Sequence, residues 1–464
     1  MTTPCSTYSF INSNKDKPLL VVDDYVFQQS GKSTTTTTYW ACQFKGCSAV
    51  AHTSTGTGIL IKQKNDHCHP SVPEKIEIRK LMNKVKSRIA CETTAIGQIY
   101  DQEMAKANLS TTALVMAPTA IEARAGLNLQ RRKAIPALPV SIDFYIPRCY
   151  KVALNGERFL LADHVWHADA GISKRIVIFA TDEQLKFLFK CTHILMDGTF
   201  STSPKHFTQV YSIHGLKYKQ SFLCVTVLMT ERKTFSYKHM FRVLRSNAVR
   251  LQLGFEPTKI TTDFESALIN VIKAEFPNAQ HKGCYFHYTN AIHRRIQTLG
   301  LSTVYKTEHD ARSSARKLMA LALLPLNQVK LAFDDIVEGA PDSIDDLIDY
   351  FRDYWMKNMN LSLWNVADLD VRTNNHVEGW NNRFNKRMNK THPNMWAFIA
   401  CLQAEEVIFR QLFLKFKAGA QKKIMLKTLT MQKHIDNLNT RFNNNEIDRV
   451  ELLDGLSLLV ASKK

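Results

Sequence analysis

The stretch HILMDGTF, residues 193–200, is an apolar run that ends in an aspartate followed by a glycine. Its apolar and β-branched residues predict a short strand. Further β-rich runs lie on both sides of it along the chain: RIVIFA (175–180), FTQVYSI (207–213), QSFLCVTVLM (220–229) and KITTD (259–263). Between the last two, apolar residues recur at helical spacing across residues 235–253. Four strands followed by a helix, a strand and a helix predict an α/β core over residues 140–290.

Two of these predicted strands deliver an aspartate, Asp197 and Asp263, to the rim of the sheet, which is where α/β cores carry their sites. We expect the chain to turn directly after Asp197, because glycine follows it, and a metal ion or phosphate could then approach closely. We expect Asp263 to open a helix, whose N-terminus its side chain could cap instead of binding a metal. A single aspartate at a strand end is more often a turn former or a helix cap, so both roles stay open.

A third acidic residue, Glu378, lies in TNNHVEGWNNRFNKRM, residues 373–388. Four apolar residues in this segment recur at helical spacing and predict a core-facing stripe: Val377, Trp380, Phe384 and Met388. Glu378 is then on the flank of the first helical turn. The alternative is an exposed acid that the helix macrodipole favours at this end.

Near the N-terminus, residues 8–75 are rich in turns and strand-forming residues and predict a small all-β unit. Within it, Cys42, Cys47, His67 and His69 are spaced C-x4-C-x19-H-x-H. Zinc favours four tetrahedral sulfur and nitrogen ligands in structural sites. We expect the two histidines to share one face of a strand, as residues i and i+2 do. Cys68, between them, could compete as a ligand.

This N-terminal segment resembles the FLYWCH zinc finger. The residues that carry the resemblance are Tyr25 and Phe27, Trp40 before Cys42, then Cys47, and the closing His67-Cys68-His69. The resemblance implies a zinc-dependent DNA-binding or protein-binding module, of a kind that sometimes precedes a transposase-like chain.

Residues 175–410 resemble a Mutator-like (MULE) transposase domain. The motifs that carry the resemblance stand in the family's order: MDGTFSTSP (196–204), TTDFESAL (261–268), KGCYFHYTNAIHRRI (282–296) and TNNHVEGWNNRFN (373–385). The third motif contains the family's Cys-x-x-His pair, Cys284 and His287. A long helical insertion separates the second acidic residue from the third.

The resemblance implies an RNase H-like fold in which Asp197, Asp263 and Glu378 bind two Mg²⁺ or Mn²⁺ ions. Hard oxygen ligands suit such ions. The implied reaction is phosphoryl transfer, namely DNA strand cleavage and joining at element ends. Cys284 and His287 do not by themselves complete a structural zinc site, and they serve either core packing or a contact with the substrate strand.

Lys and Arg outnumber Asp and Glu by 61 to 42, which gives a net charge of +19 and predicts DNA as the partner. Residues 1–75 hold seven basic and five acidic residues, whereas residues 379–464 hold fifteen and seven, so the N-terminal module contributes little of this charge. No long apolar run or secretory signal is visible, which favours an intracellular protein that does not bind membranes. Ten cysteines in such a compartment suit metal binding or burial. Because the predicted partner is DNA, we expect the nucleus.

The predicted organisation is an RNase H-like α/β core with a helical insertion and a helical C-terminal part, preceded by the small β-rich zinc finger. Residues 127–139 predict a basic, proline-containing linker. The six segments are the zinc finger (8–75), a helical region and linker (76–139), the first part of the core (140–290), the helical insertion (291–372), the end of the core (373–416) and a basic helical tail (417–464).

Three functions compete at this point. The first is a Mutator-like transposase, and the second is a transposase-derived DNA-binding or regulatory protein without cleavage activity. The third is a zinc-dependent protein-interaction module fused to an inert core. Either of the first two could act as a homo-oligomer on DNA, and the finger could also bind proteins. Basic residues near the motifs either hold phosphates or form solvated helix faces: His293, Arg294, Arg295, Arg383, Lys386, Arg387 and Lys390.

Overall fold

The chain forms two compact units, residues 1–137 and residues 138–464. They are seen in a computed structural model. It describes residues 7–31, 33–92, 94–167, 172–369, 371–372, 375–388, 391–422 and 426–461. Lys390 lies outside these residues.

The first unit begins with an antiparallel meander, whose strands in the described part pair in chain order. The strands are β1 (Tyr8–Asn12), β2 (Pro18–Val22), β3 (Tyr25–Gln29), β4 (Thr37–Cys42), β5 (Val50–Ser54) and β6 (Leu60–Lys64). Side chains of β4 alternate between the buried and the less buried face, as expected for a sheet with one face packed. Phe27 and Trp40 are the large residues of this small core. The run LLVVDDYVF is two strands, because Asp23 and Asp24 adopt positive φ and form a tight hairpin.

Four helices complete the described part of the first unit: α1 (Pro73–Cys91), α2 (Ile96–Lys106), α3 (Thr111–Met116) and α4 (Ala120–Ala134). Leu81, Val85 and Ile89 are buried, as their spacing predicts. The predicted linker at 127–139 is wrong over its first half, because α4 continues to residue 134. A Thr119–Glu122 capping box starts α4, and the guanidinium of Arg131 donates a hydrogen bond to the carbonyl of Thr94 over 2.6 Å. Tertiary contact therefore holds these basic residues in a helix.

The second unit is built on a mixed sheet, seven-stranded in its described residues. Its strands are β7 (Leu160–His167), β8 (Ser173–Phe179), β9 (His193–Thr199), β10 (Gln209–Lys217), β11 (Gln220–Met229), β12 (Lys259–Thr262) and β13 (Gln280–Gly283). They lie in the order β13-β12-β9-β10-β11-β8-β7. β13, β12 and β9 are parallel, and the other neighbours are antiparallel.

Helices cover this sheet, and α5 (Asp182–Leu188), α6 (Thr234–Arg250) and α7 (Ser266–Glu275) contribute to its apolar core. Nearly every residue of β11 is buried. A strand buried on both faces needs a continuous apolar sequence rather than an alternating one. This explains why QSFLCVTVLM reads as an unbroken apolar run.

After β13 the described chain is helical, with α8 (Tyr285–Thr298), α9 (Ser302–Thr307), α10 (His309–Ala320), α11 (Val329–Gly339), α12 (Asp345–Phe351) and α13 (Leu361–Trp364). A π-helical segment, Arg352–Asn358, extends α12. These helices enclose a second apolar core, in which Tyr288, Trp355 and Trp364 are fully buried. The indole N–H of Trp364 donates to the carbonyl of Trp355 over 3.0 Å, which satisfies a buried donor.

The last helices are α14 (Asn375–Met388), α15 (Met395–Lys417), α16 (Leu426–Asn443) and α17 (Arg449–Ala461). Val377, Trp380 and Phe384 of α14 are buried, as the helical spacing predicts. The segment predicted as a basic tail also packs, since Ile435, Leu452 and other apolar residues of α16 and α17 join the second apolar core. None of the helices in the described ranges is long and apolar enough to span a membrane.

Candidate metal centres

Four side chains of the first unit converge after the β4 strand. Cys42 ends β4, Cys47 follows in the β4–β5 loop, and His67 and His69 lie in the loop beyond β6. One donor atom from each lies within 4.8 Å of the other three. Cys42 Sγ is 3.2 Å from His69 Nε2, and Cys47 Sγ is 3.5 Å from His67 Nδ1. Tetrahedral zinc with Zn–S of about 2.3 Å and Zn–N of about 2.0 Å separates sulfur from nitrogen by roughly 3.6 Å, so the cluster suggests a structural zinc ion.

Neighbouring groups hold the two imidazoles in place. His69 Nδ1 donates to the carbonyl oxygen of Pro70 over 2.9 Å, which leaves Nε2 as the nitrogen that faces Cys42. The ring of His67 stacks on Tyr25 with centroids 3.6 Å apart, and His69 stacks on Phe44 at 4.2 Å. The expectation that both histidines lie on a strand is wrong. A loop brings them together, because β6 ends at residue 64.

The electrostatics favour metal binding at two of the four ligands, Cys47 and His67, whereas burial raises the pKa of Cys42. The pKa of Cys47 is lowered to about 7, chiefly by a backbone hydrogen bond from Ala49. Burial lowers the pKa of His67, so its imidazole is neutral and can donate a lone pair. Cys68 is exposed and does not belong to the group of four, and its thiol lies 3.9 Å from the carbonyl oxygen of Gly46.

In the second unit, two acidic residues lie near each other at one edge of paired strands. β12 pairs with β9 so that Lys259 faces His193 and Thr261 faces Leu195. Asp197 lies on β9, and Asp263 directly follows β12. The charge of Asp263 raises the pKa of Asp197, so the two carboxyl groups are close in space.

Asp197 is almost completely buried, with 5% of its surface exposed. Its pKa is raised to about 7, first by burial and then by the charges of Asp263 and Glu378. The chain does not turn after Asp197, contrary to our expectation. β9 continues through Gly198, which pairs with Tyr211. The carboxyl group is therefore fixed by a paired strand rather than by a loop.

The alternative that Asp263 caps the following helix does not hold. α7 begins at Ser266, and its N-cap residue is Glu265. Asp263 Oδ1 accepts only a long hydrogen bond, of 3.4 Å, from the backbone N–H of Glu265. Burial raises the pKa of Asp263, and the charge of His287 opposes that rise.

Glu378, in the first turn of α14, is close enough to Asp197 for its charge to raise the pKa of that residue. Asn381, one turn further on the same helix face, donates a hydrogen bond from Nδ2 to Asp197 Oδ2 over 3.1 Å. Sequence reasoning missed Asn381, although its position three residues after Glu378 was a usable signal. The carboxylates of Asp197, Asp263 and Glu378 are hard oxygen donors of the kind that Mg²⁺ or Mn²⁺ prefers. In the described part of the chain, however, these three do not form a group whose donor atoms all lie within 4.8 Å of one another.

Cys284 and His287 border the same site. β12 pairs with β13 so that Thr262 faces Gly283, and the next residue pair is Asp263 and Cys284. Cys284 is the N-cap residue of α8, and His287 lies in its first turn. Burial lowers the pKa of His287, and the charge of Asp263 opposes that shift. One donor atom each of Cys284, His287 and Glu378 lies within 4.8 Å of the others.

Several basic residues that could hold phosphates are already paired. The guanidinium of Arg383 lies 3.0 Å from a carboxylate oxygen of Glu405, and Arg387 contacts the other oxygen. Glu405 is buried and also accepts a hydrogen bond from the indole of Trp380 over 2.8 Å. Arg383 and Arg387 therefore neutralise a buried charge. Arg294 and Lys386 are exposed.

Two protein families match parts of this chain. The FLYWCH zinc finger domain matches residues 10–69, which include all four residues of the zinc cluster. Residues 193–291 match the MULE transposase domain. This segment contains Asp197, Asp263, Cys284 and His287, whereas Glu378 lies beyond it. Both resemblances drawn from the sequence are thereby confirmed, and the two domains suggest a transposase-related, DNA-binding protein. No curated protein matches the chain.

Proposed function

We propose that the second unit is a metal-dependent DNA transposase of the Mutator-like class, with Asp197, Asp263 and Glu378 as its metal ligands. The observation that carries the proposal is the proximity of the three acids. Asp197 lies on β9, Asp263 directly follows the parallel neighbour β12, and the charges of Asp263 and Glu378 both raise the pKa of Asp197. A fold maintains such repulsion only at a cost in stability, which points to a functional use.

The sheet itself supports an RNase H-like core. An antiparallel meander, β9 to β11, continues into two strands that are parallel to β9. The first acid lies on β9, the second directly follows the neighbouring strand β12, and the third comes from a helix much later in the chain. The helices of residues 291–372 then form an insertion between the second and third acids.

The residues of the site have distinct roles in this proposal. When bound, two divalent cations supply activation of the attacking oxygen and stabilisation of the leaving oxygen at phosphorus. Asp197 would hold them from β9 and Asp263 from the residue directly after β12, and Glu378 would complete the set from α14. Asn381 orients Asp197 through the hydrogen bond to Oδ2. The raised pKa of Asp197 means that cation binding competes with a proton near neutral pH.

DNA is the partner that the charge supports. The net charge of +19 attracts a polyanion, and the zinc finger adds a second contact with DNA or with a protein. We propose that the protein acts in the nucleus, in DNA transposition and recombination, as a homo-oligomer on the element ends. The competing function is a transposase-derived DNA binder that does not cleave.

A cleavage assay separates these two functions. The DNA carries cognate element ends, taken from terminal inverted repeats where such repeats are found beside the coding region, and Mg²⁺ or Mn²⁺ is added. We expect the wild type to cleave and join strands, and Asp197→Asn, Asp263→Asn and Glu378→Gln to lose cleavage while they keep DNA affinity. Asp182→Asn is the matched control, because Asp182 pairs with Arg250 on the surface.

Each outcome of this assay has a separate meaning. A wild-type protein that binds these ends tightly and leaves them intact would establish the non-cleaving binder. Cleavage by Asp263→Asn at the wild-type rate would show that the metal-ligand assignment is wrong. Loss of DNA affinity in the same variants would mean that the acids support folding rather than catalysis.

A further inference from the structure

A second cluster of metal-ligand residues borders the acid pair. Cys284 Sγ, a ring nitrogen of His287 and a carboxylate oxygen of Glu378 all lie within 4.8 Å of one another. Cys284 and His287 are three residues apart at the start of α8, so they share one helix face. Glu378 approaches from the first turn of α14. The sequence did not predict this arrangement, because Glu378 lies more than ninety residues after Cys284.

The donor set differs in kind from that of Asp197 and Asp263. A thiolate and an imidazole prefer zinc, whereas Mg²⁺ prefers oxygen ligands alone. Cys284 is fully buried, and His287 and Glu378 are half-buried. The buried Nδ1 of His287 has no hydrogen-bond partner among the described residues. A buried nitrogen with no partner costs free energy, which coordination would recover.

We propose that Cys284, His287 and Glu378 bind one zinc ion. Three protein ligands leave the fourth tetrahedral position open, as in zinc sites that accept water or another ligand. Binding displaces the thiol proton of Cys284. The ion joins the start of α8 to the start of α14, and so fixes the helix that carries Glu378 and Asn381 against the acid pair.

This zinc site is separate from the finger, and it shares Glu378 with the acid set of the proposed function, one carboxylate oxygen of Glu378 binding the zinc ion. The full-length protein should therefore hold two zinc ions, one on Cys42, Cys47, His67 and His69 and one on the new cluster. Asp197→Asn should still hold two. The proposal does not depend on cleavage activity, and its test uses neither DNA nor Mg²⁺.

The test is zinc content, measured by mass spectrometry on full-length protein after removal of loosely bound metal. We expect two zinc ions per chain in the wild type and one in Cys284→Ala, His287→Gln and Glu378→Gln. Cys224→Ala should keep two, since Cys224 is an equally buried thiol of the same sheet outside the cluster. Cys42→Ala should lose the finger's ion and keep the other.

Cobalt substitution gives a readout that needs no variant. When Co²⁺ fills both sites, the thiolate-to-cobalt charge-transfer band should have the intensity expected for three thiolates, those of Cys42, Cys47 and Cys284. The ion in the new cluster, with one thiolate, should contribute less absorbance than the ion in the finger, with two. One zinc per wild-type chain, or two in Cys284→Ala, would overturn the proposal. A cobalt band from two thiolates would overturn it as well, even if the variants fail to fold.

Discussion

Replacing Asp197 by asparagine should make the cation-free protein more stable above neutral pH. Asp197 is 5% exposed, and its pKa is raised from 3.8 to about 7 by burial, then by Asp263 and Glu378. A carboxyl group whose pKa is higher in the folded than in the unfolded state opposes folding when it is charged. The penalty is absent below pH 3.8, grows as the pH rises towards 7, and is complete above pH 7.

The size of the effect follows from these two pKa values. Each pKa unit corresponds to about 1.4 kcal/mol, so the rise from 3.8 to about 7 corresponds to about 4 kcal/mol of unfolding free energy. Asparagine has nearly the same volume, and its Oδ1 can still accept the hydrogen bond from Asn381. Asp197→Asn should therefore gain up to about 4 kcal/mol at pH 8 and less than about 1 kcal/mol at pH 4.

The assay is urea unfolding of the full chain in buffer without Mg²⁺, followed by tryptophan fluorescence at pH 8 and pH 4. Asp182→Asn should behave in the opposite way at pH 8, because its hydrogen bond with Arg250 lowers the pKa of Asp182. Added Mg²⁺ should stabilise the wild type and not Asp197→Asn. A variant no more stable than wild type at pH 8, or a gain of the same size at pH 4, would refute the reasoning.

Three further predictions concern the finger, the DNA and the sheet. In a fragment of residues 1–137, zinc chelation should expose the buried Trp40 and shift its fluorescence to the red. The reason is that the small core of the finger depends on the bound ion for its stability. An unchanged spectrum would argue against a structural ion. DNA affinity of the full chain should fall about 10³-fold between about 50 and 200 mM salt if about six phosphates are contacted, and a flat titration would favour protein binding instead. Gly283→Ala should lower the unfolding free energy by about 1–3 kcal/mol, because a Cβ at this position overlaps the ring of Phe264. Gly339→Ala is the control. A Cβ there meets nothing within 4 Å, so the stability of this variant should stay near that of the wild type.

The sequence predicts most strands of the sheet in the second unit, but it does not predict the two edge strands, β13 and β7. The five apolar runs are strands because burial on both faces demands continuous apolar residues. β13, QHKG, is short and polar and gives no such signal, and it forms a strand by pairing with β12. β7 was not predicted either. It lies at the sheet edge, where its residues are half-buried or exposed, so it has no continuous apolar run.

Local sequence patterns were enough to predict the finger's four candidate zinc ligands, the two aspartates and the apolar stripe of α14, because each pattern has a local physical cause. Which of these side chains meet depends on tertiary packing. The position of β12 between β9 and β13 brings Asp263, directly after β12, near Asp197 and Cys284, and the packing of α14 adds Glu378 and Asn381. The burial and repulsion that raise the pKa of Asp197 arise from this convergence. They depend on distances through space, which spacing along the chain does not encode.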